Sequence, residues 1–374
     1  MPVESEPENE GTAAVNDGDE EERTEDDDDA EIPLTYSITS YGADYPVDGL
    51  VKRINQGNIK VPDFQRGFVW NIKQASRFVE SLLLGLPVPG IFLAREHQSQ
   101  KLLVIDGQQR LRTLQYYYSG YIATNARAQS RKVFALVGVQ TQFSGKTFED
   151  LDPELQSKLH DSIIHATVIK QDHPVEDNSS IYHIFERLNT GGTSLAPQEI
   201  RACINYGPFN GMLHRLSGTA AWKNLYAGSK KNLRDEELIL RFFALYYNFE
   251  KYEQPMKAFL NDFMRRHRND DEKELESMAK IFERTLVTLS DQIGTGAFRL
   301  TRGFNAAVFD AVMIGIGKRL AQKRELKTTG AIKKTYDRLL KNAQFIEAVS
   351  AATAQVERVV GRINQSIEAF EGIA

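Results

Sequence analysis

Hydrophobic positions along this chain keep two different rhythms. Up to about Ile204, short apolar runs alternate with helical repeats. Val47 to Gln56 and Asn71 to Leu84 predict amphipathic helices, the second with Ala75, Phe78, Val79 and Leu82 on one face. Pro87-Val88-Pro89-Gly90 breaks that helix. Ile91 to Ala94 and Leu102 to Ile105 then read as strands joined by the polar loop Glu96 to Gln100, a predicted hairpin. A helix containing Tyr116-Tyr117-Tyr118 follows, then strands over Val133 to Val139 and Ile163 to Lys170, and a helix over Ser179 to Leu188 that stops at Gly191-Gly192. This mixture is α/β or α+β. Beyond Asn205 the helical period takes over, with helices predicted over Glu236 to Tyr247, Pro255 to Arg266, Glu274 to Leu289, Asn305 to Leu320, Lys333 to Leu340 and Ile346 to Phe370. The pattern divides the chain into residues 32–205 and an all-α part, residues 206–374.

Residues 1–31 fit neither rhythm. They hold fifteen Asp or Glu and one Arg, a net of −14, so the chain's overall −5 leaves +9 on the body. With so little apolar content this acidic tail cannot offset the entropy of ordering, and it is expected to stay unfolded. Two readings stand: a solubilising terminus, or a segment that competes with nucleic acid for the basic body. Elsewhere, 41% hydrophobic and 26% charged residues are ordinary for a globular chain. The single cysteine, Cys203, excludes an intramolecular disulfide and a Cys-rich zinc site. The apolar runs are too short for a signal or membrane segment, so a cytoplasmic location and no membrane partner are expected.

Candidate chemistry concentrates where polar residues are dense among apolar ones. In Val104-Ile105-Asp106-Gly107-Gln108-Gln109-Arg110-Leu111-Arg112 a strand turns through Asp-Gly into a helix, whose start favours anions and whose first turns add Arg110 and Arg112. Asp106 could hold Mg²⁺ or orient a water; it could equally be a plain N-cap beside solvated arginines. Pro62-Asp63-Phe64-Gln65-Arg66-Gly67-Phe68-Val69-Trp70 sets Gln65 and Arg66 between aromatics, either to hold a base and its phosphates or as an ordinary surface loop with aromatic staples. In Phe185 to Arg201, a helix stop at the glycines precedes a second helix start with Pro197 at N1 and Glu199 at N3; caps alone would account for Asn189, Ser194 and Glu199.

Taken together, these three segments resemble the ParB-like N-terminal domain of GmrSD-type, modification-dependent restriction enzymes and related phage-defence proteins. The likeness extends over roughly residues 35 to 320, including Phe259 to Met264 and Phe304 to Asp310. The resemblance implies an α+β fold, a mixed sheet with helices similar to ParB and sulfiredoxin, followed by a helical domain. It further implies binding, and in several members hydrolysis, of a nucleoside triphosphate with Mg²⁺. On that reading Gln65 and Arg66 approach the nucleotide, while Gly107, Gln108, Gln109 and Arg110 grip the phosphates. Asn189, Gly192 and Arg201 complete the pocket, and Asp106, Asn189 and Glu199 face the metal. Asp106 and Arg110 would carry catalysis. Sulfiredoxin chemistry itself does not follow, because it needs a cysteine in the phosphate loop.

Many relatives append a nuclease domain with a His-Asn-His metal site. Here the seven histidines are scattered, with none after His267, so this chain alone is not expected to cut DNA. The leading expectation is a nucleotide-binding, NTP-hydrolysing protein of DNA restriction or phage defence, with DNA and a separate nuclease as partners. A non-hydrolysing DNA-binding module, or a scaffold that self-associates, is the alternative. Because residues 1–31 hold almost none of the apolar content, their deletion is expected to leave the melting temperature nearly unchanged; a fall of many degrees in a thermal melt would contradict it.

Overall fold

The computed structural model describes residues 37–61, 68–96, 99–123, 131–173, 179–188, 195–226, 228, 231–300, 303–322 and 330–373. The acidic tail, Gln65, Arg66, Asn189 and Gly192 lie outside them. The first part runs β1 (Ser37–Pro46), α1 (Val47–Asn55), β2 (Ile59–Lys60), α2 (Ile72–Leu84), β3 (Ile91–Arg95), β4 (Leu102–Asp106), α3 (Gln108–Ser119), β5 (Tyr121–Ala123), β6 (Arg131–Val133), α4 (Pro153–Asp161), β7 (Ile163–His173), α5 (Ser179–Leu188) and α6 (Pro197–Ile204).

Five strands form a mixed sheet in the order β1-β7-β3-β4-β2. β3 and β4 are the antiparallel hairpin that the sequence predicts, whereas β3 runs parallel to β7 and β2 parallel to β4. Side-chain alternation along β4 sends Leu102 and Val104 into a core shared with α1, α2 and α3. Leu103 and Ile105 go to the opposite face, where α5 and α6 cover them with Ile181, Phe185, Ile200, Cys203 and Ile204. Both faces are therefore dry, as the unbroken apolar run of β4 requires.

Three sequence expectations change. Val133 to Val139 is not a strand beyond Val133: Phe134 and Leu136 are buried, but Leu136 exchanges backbone hydrogen bonds with Lys146 and Gly145 in a loop. Alternate burial in a loop mimics a strand's period. β1, at the sheet edge, escapes notice because its residues are largely exposed and show no apolar alternation. Ile346 to Phe370 is two helices, parted where Ala352 takes a left-handed φ of 49°.

The second part is helical: α7 (Pro208–Ser217), α8 (Ala220–Leu225), α9 (Arg234–Asn248), α10 (Met256–His267), α11 (Glu272–Gln292), α12 (Ala306–Ala321), α13 (Ala331–Leu339), α14 (Ala343–Ser350) and α15 (Val356–Glu371). α12 is apolar on all sides and nearly every residue of it is buried, which makes it the axis of the domain. Its Gly315 lets α15 approach closely, since a Cβ there would stand 2.3 Å from Ser366 Oγ. Asp310, fully buried on α12, accepts from Arg241 Nη2 at 2.7 Å and from Arg362 Nη2 at 3.2 Å. That pairing satisfies a charge which would otherwise be prohibitive in the core.

The two parts meet along α6. Arg201 is 1% exposed and donates to Asn261 of α10 at 2.8 Å, to Glu237 of α9 at 2.9 Å and to Gln198 at 2.6 Å. Lys257 of α10 pairs with Glu186 of α5 at 2.5 Å and lies over the Tyr182 ring. Burial alone would push the Glu237 carboxyl up, but the guanidinium groups of Arg201, Arg234 and Arg241 outweigh it and hold the group below its ordinary value of 4.5. A carboxyl lowered by folding stabilises the fold above its unfolded value and loses that contribution as pH falls through the folded one. Glu237→Gln is thus expected to lower stability at pH 7 by about 3–5 kcal/mol, because it leaves the buried Arg201 with amide partners and no counter-charge. It should also flatten the loss of stability that wild type shows below about pH 4.5. Urea unfolding at several pH values measures both effects; identical acid limbs would refute the assignment.

Candidate nucleotide-binding site

One polar motif lies at the carboxyl end of β4, and a backbone constraint shapes the turn there. Gly107 has φ of +97°, and a Cβ on it would come within 2.4 Å of Ile91 Cγ2 at the start of β3. Only glycine satisfies both the left-handed φ and the contact. As the residue before α3, it brings no side-chain cap to the helix start.

Arg110 folds back over this turn. Its Nη2 donates to Asp106 Oδ2 at 2.5 Å, one helical turn apart, and its Nε would lie 3.3 Å from a Cβ on Gly107. The Arg110 side chain is 14% exposed while that of Asp106 is 56% exposed. Arg110 Nε is buried with no hydrogen-bond partner. A buried donor left unpaired is costly, so this atom is suited to donate to an oxygen of an incoming anion. Among the described residues no three His, Cys, Asp or Glu side chains converge as a ready-made metal cage. An exposed Asp106 still fits Mg²⁺ of the kind held by one or two carboxylates, its remaining positions going to waters and phosphate oxygens.

Other motif residues have structural partners. Gln109 Oε1 accepts from the backbone N–H of Val69 at 3.0 Å and of Trp70 at 3.3 Å. Arg112 Nη2 reaches Val61 O at 3.5 Å. The described residues on both sides of 62–67, the segment containing Gln65 and Arg66, are thereby tied to the first turns of α3. Phe68 packs edge-on against Tyr116 and Trp70 against Phe78, so these two aromatics are staples. Gln108 is buried. Glu199 Oε2 accepts from Ala196 N at 2.8 Å and closes the start of α6, and Arg201 faces α9 and α10. Neither of these two side chains is directed at the Gly107 turn by its bonds. Sequence reasoning missed Ile91, whose contact makes position 107 a glycine; one more apolar residue opening a strand carries no signal of that role.

Comparison with known proteins bears on the same segment. Residues 47–205 match the family model of the GmrSD restriction endonuclease, N-terminal domain. The resemblance read from the three motifs is borne out over that stretch, which includes the Gly107 turn, α5 and α6. An uncharacterised protein of Methanocaldococcus jannaschii is 32% identical over 91 residues, a match that covers 18% of this chain and 16% of the relative. The chain thus spans only about a sixth of that relative's length. Among the described residues no helix is long and apolar enough to cross a membrane.

If Gln109 acts as a clamp on the Val69–Trp70 backbone, Gln109→Ala leaves two N–H groups without their acceptor. A loss of about 1–3 kcal/mol in stability is expected, with faster amide hydrogen exchange at Val69 and Trp70. Unchanged exchange at those two amides would remove the clamp.

Proposed function

We propose that this chain is the nucleotide-binding component of a DNA restriction or phage-defence system. It binds a nucleoside triphosphate with Mg²⁺ at the Asp106–Arg110 turn and hydrolyses it, and a separate nuclease subunit cuts DNA. The observation that carries this reading is the buried, unpartnered Arg110 Nε poised over a glycine turn at a helix start, inside a segment with the GmrSD N-terminal pattern. Phosphoryl transfer needs positioning and charge stabilisation more than covalent chemistry, and those are what an arginine, backbone amides and one carboxylate supply. Gly107 and Gln108 belong to the proposed phosphate site with Arg110, and Asp106 is its metal-side carboxylate. Gln65, Arg66, Asn189 and Gly192 enter it by family resemblance. Gln109, Glu199 and Arg201 hold the Val69–Trp70 backbone, the start of α6 and the contact with α9 and α10 instead.

Binding a phosphate oxygen would require Arg110 to share or release Asp106, and Mg²⁺ on that carboxylate would supply the compensating charge. Asp106 and Arg110 therefore act as a pair whose partners exchange when ligand arrives. Arg110→Ala is expected to weaken nucleotide binding about 10- to 100-fold, the loss of a charge-assisted contact, and to abolish phosphate release. Isothermal titration with each of the four common triphosphates, together with a phosphate-release assay, measures this. Wild-type affinity in Arg110→Ala would move the site elsewhere. Nucleotide binding without turnover, accompanied by salt-dependent DNA binding, would favour the second reading, a DNA-binding module with a regulatory pocket, which the +9 body supports.

A further inference from the structure

The acidic residues at the head of the chain join the fold through β1, whose first described residue is Ser37. The surface beside β1 is therefore the one they meet first. Side-chain alternation puts Tyr41, Ala43 and Tyr45 of β1 on the face that carries Ile164, Ala166 and Val168 of β7, and Arg95 of β3 on the same face as Leu93. Ala43 and Tyr45 pack against the margin of that apolar cluster, while Tyr41 is exposed.

Two arginines lie over these tyrosines. The Arg95 guanidinium carbon stands 5.8 Å from the centre of the Tyr41 ring, and Arg95 Nη2 donates to the Tyr41 hydroxyl. Arg53, exposed on α1, stands 5.6 Å from the centre of the Tyr45 ring. A ring fixes a guanidinium in place without neutralising it. Among the described residues neither arginine is paired with a carboxylate. The carboxylates of β1 and β7 are engaged elsewhere: Asp172 accepts from Lys170 Nζ at 2.7 Å and from the Thr39 hydroxyl, and Asp44, on the other face of β1, bonds His165.

Length permits the acidic residues to return to this margin. Residues 25–31 are Glu25, Asp26-Asp27-Asp28-Asp29, Ala30 and Glu31, and Asp26 precedes Ser37 by eleven positions. Eleven residues extend to at most about 36–40 Å, whereas Tyr45 lies about 27 Å along β1 from Ser37. Both arginines are within reach. We propose that residues 25–31 dock on the Arg95–Tyr41 and Arg53–Tyr45 pairs of their own chain and cover this margin of the sheet. Each exposed ion pair is weak, but so short a tether holds the segment at an effective concentration of order millimolar, so the contact needs no tight site and yields to salt. It is independent of the nucleotide reading.

Zero-length coupling of carboxylates to amines on the full chain tests the contact. Arg53→Lys keeps the charge and supplies an amine. At low salt that amine is expected to link to residues 25–31 at least about fivefold more often than does Lys334, exposed on α13, and about 1 M salt should erase the difference. Arg53→Glu combined with Arg95→Glu should release the segment, so that a Glu-specific protease cuts after Glu25 and Glu31 roughly threefold faster or more at low salt and no faster at high salt. A thermal melt establishes that the double variant is folded; if it is not, the links of Arg53→Lys decide alone. Acidic residues that couple to Lys334 as readily as to the amine of Arg53→Lys, or equal cutting in wild type and folded double variant, would overturn the inference. Weaker binding of duplex DNA by the double variant, with cutting unchanged, would also overturn it and give the patch to nucleic acid.

Discussion

A strand buried on both faces dictates much of this architecture. Leu102, Leu103, Val104 and Ile105 of β4 are all buried, so apolar layers must cover both sides of the sheet. On one side α1, α2 and α3 supply the cover; on the other, among the described residues, α5 and α6 supply it, the two helices that flank the third polar motif's glycines in sequence. Ile105 ends its burial one residue before Asp106 must face water. The sheet's demand for cover therefore lays α5 and α6 over the face of β4 that carries Leu103 and Ile105, and the glycine after Asp106 turns the chain before a side chain could collide with Ile91.

Buried charge is handled by shared partners in both parts of the molecule. Asp310 serves two arginines in the helical core, and Glu237 takes Arg201 and Arg234 where the parts meet. Each carboxylate is surrounded by donors, so neither leaves a lone ion in an apolar setting. Such networks add less net stability than apolar packing of the same volume, but they admit one arrangement of α6 against α9 and α10. At the Gly107 turn the situation differs: Arg110 has one carboxylate partner that is more than half exposed, and a nitrogen with none. Several arginines among the described residues, Arg362 included, keep a buried Nε without a hydrogen-bond partner; at the turn that nitrogen lies beside a half-exposed carboxylate, and this combination marks it as a place for a ligand.

The elements with a strong single period were legible in the sequence. β3, β4, β7, α2 and most long helices show either alternation or the three-to-four spacing of a buried face, because one-sided burial imprints itself on residue choice. β1 has no buried face to imprint, and the run after Val133 has one without a partner strand, so the first was missed and the second misread. Polar density singles out three motifs, but the direction of a polar side chain is a tertiary fact. Gln109 and Arg201 are as suited by composition to a phosphate as to the backbone of Trp70 or the carboxylate of Glu237. Nothing local in the sequence distinguishes those uses. The bond between Gln198 and Arg201 is hinted at by their spacing of three, which on a helix places them on one face.

Cys203 is fully buried on α6, its thiol donating to Glu199 O, in the layer that also holds Ile105 and Phe185. As the chain's sole thiol, it cannot react with an alkylating reagent until α6 lifts from the sheet. Its labelling rate is accordingly a direct clock for the detachment of that helix. Cysteines introduced at exposed positions can then be tagged selectively without altering the native one, which remains as an internal gauge of how often α6 leaves the sheet.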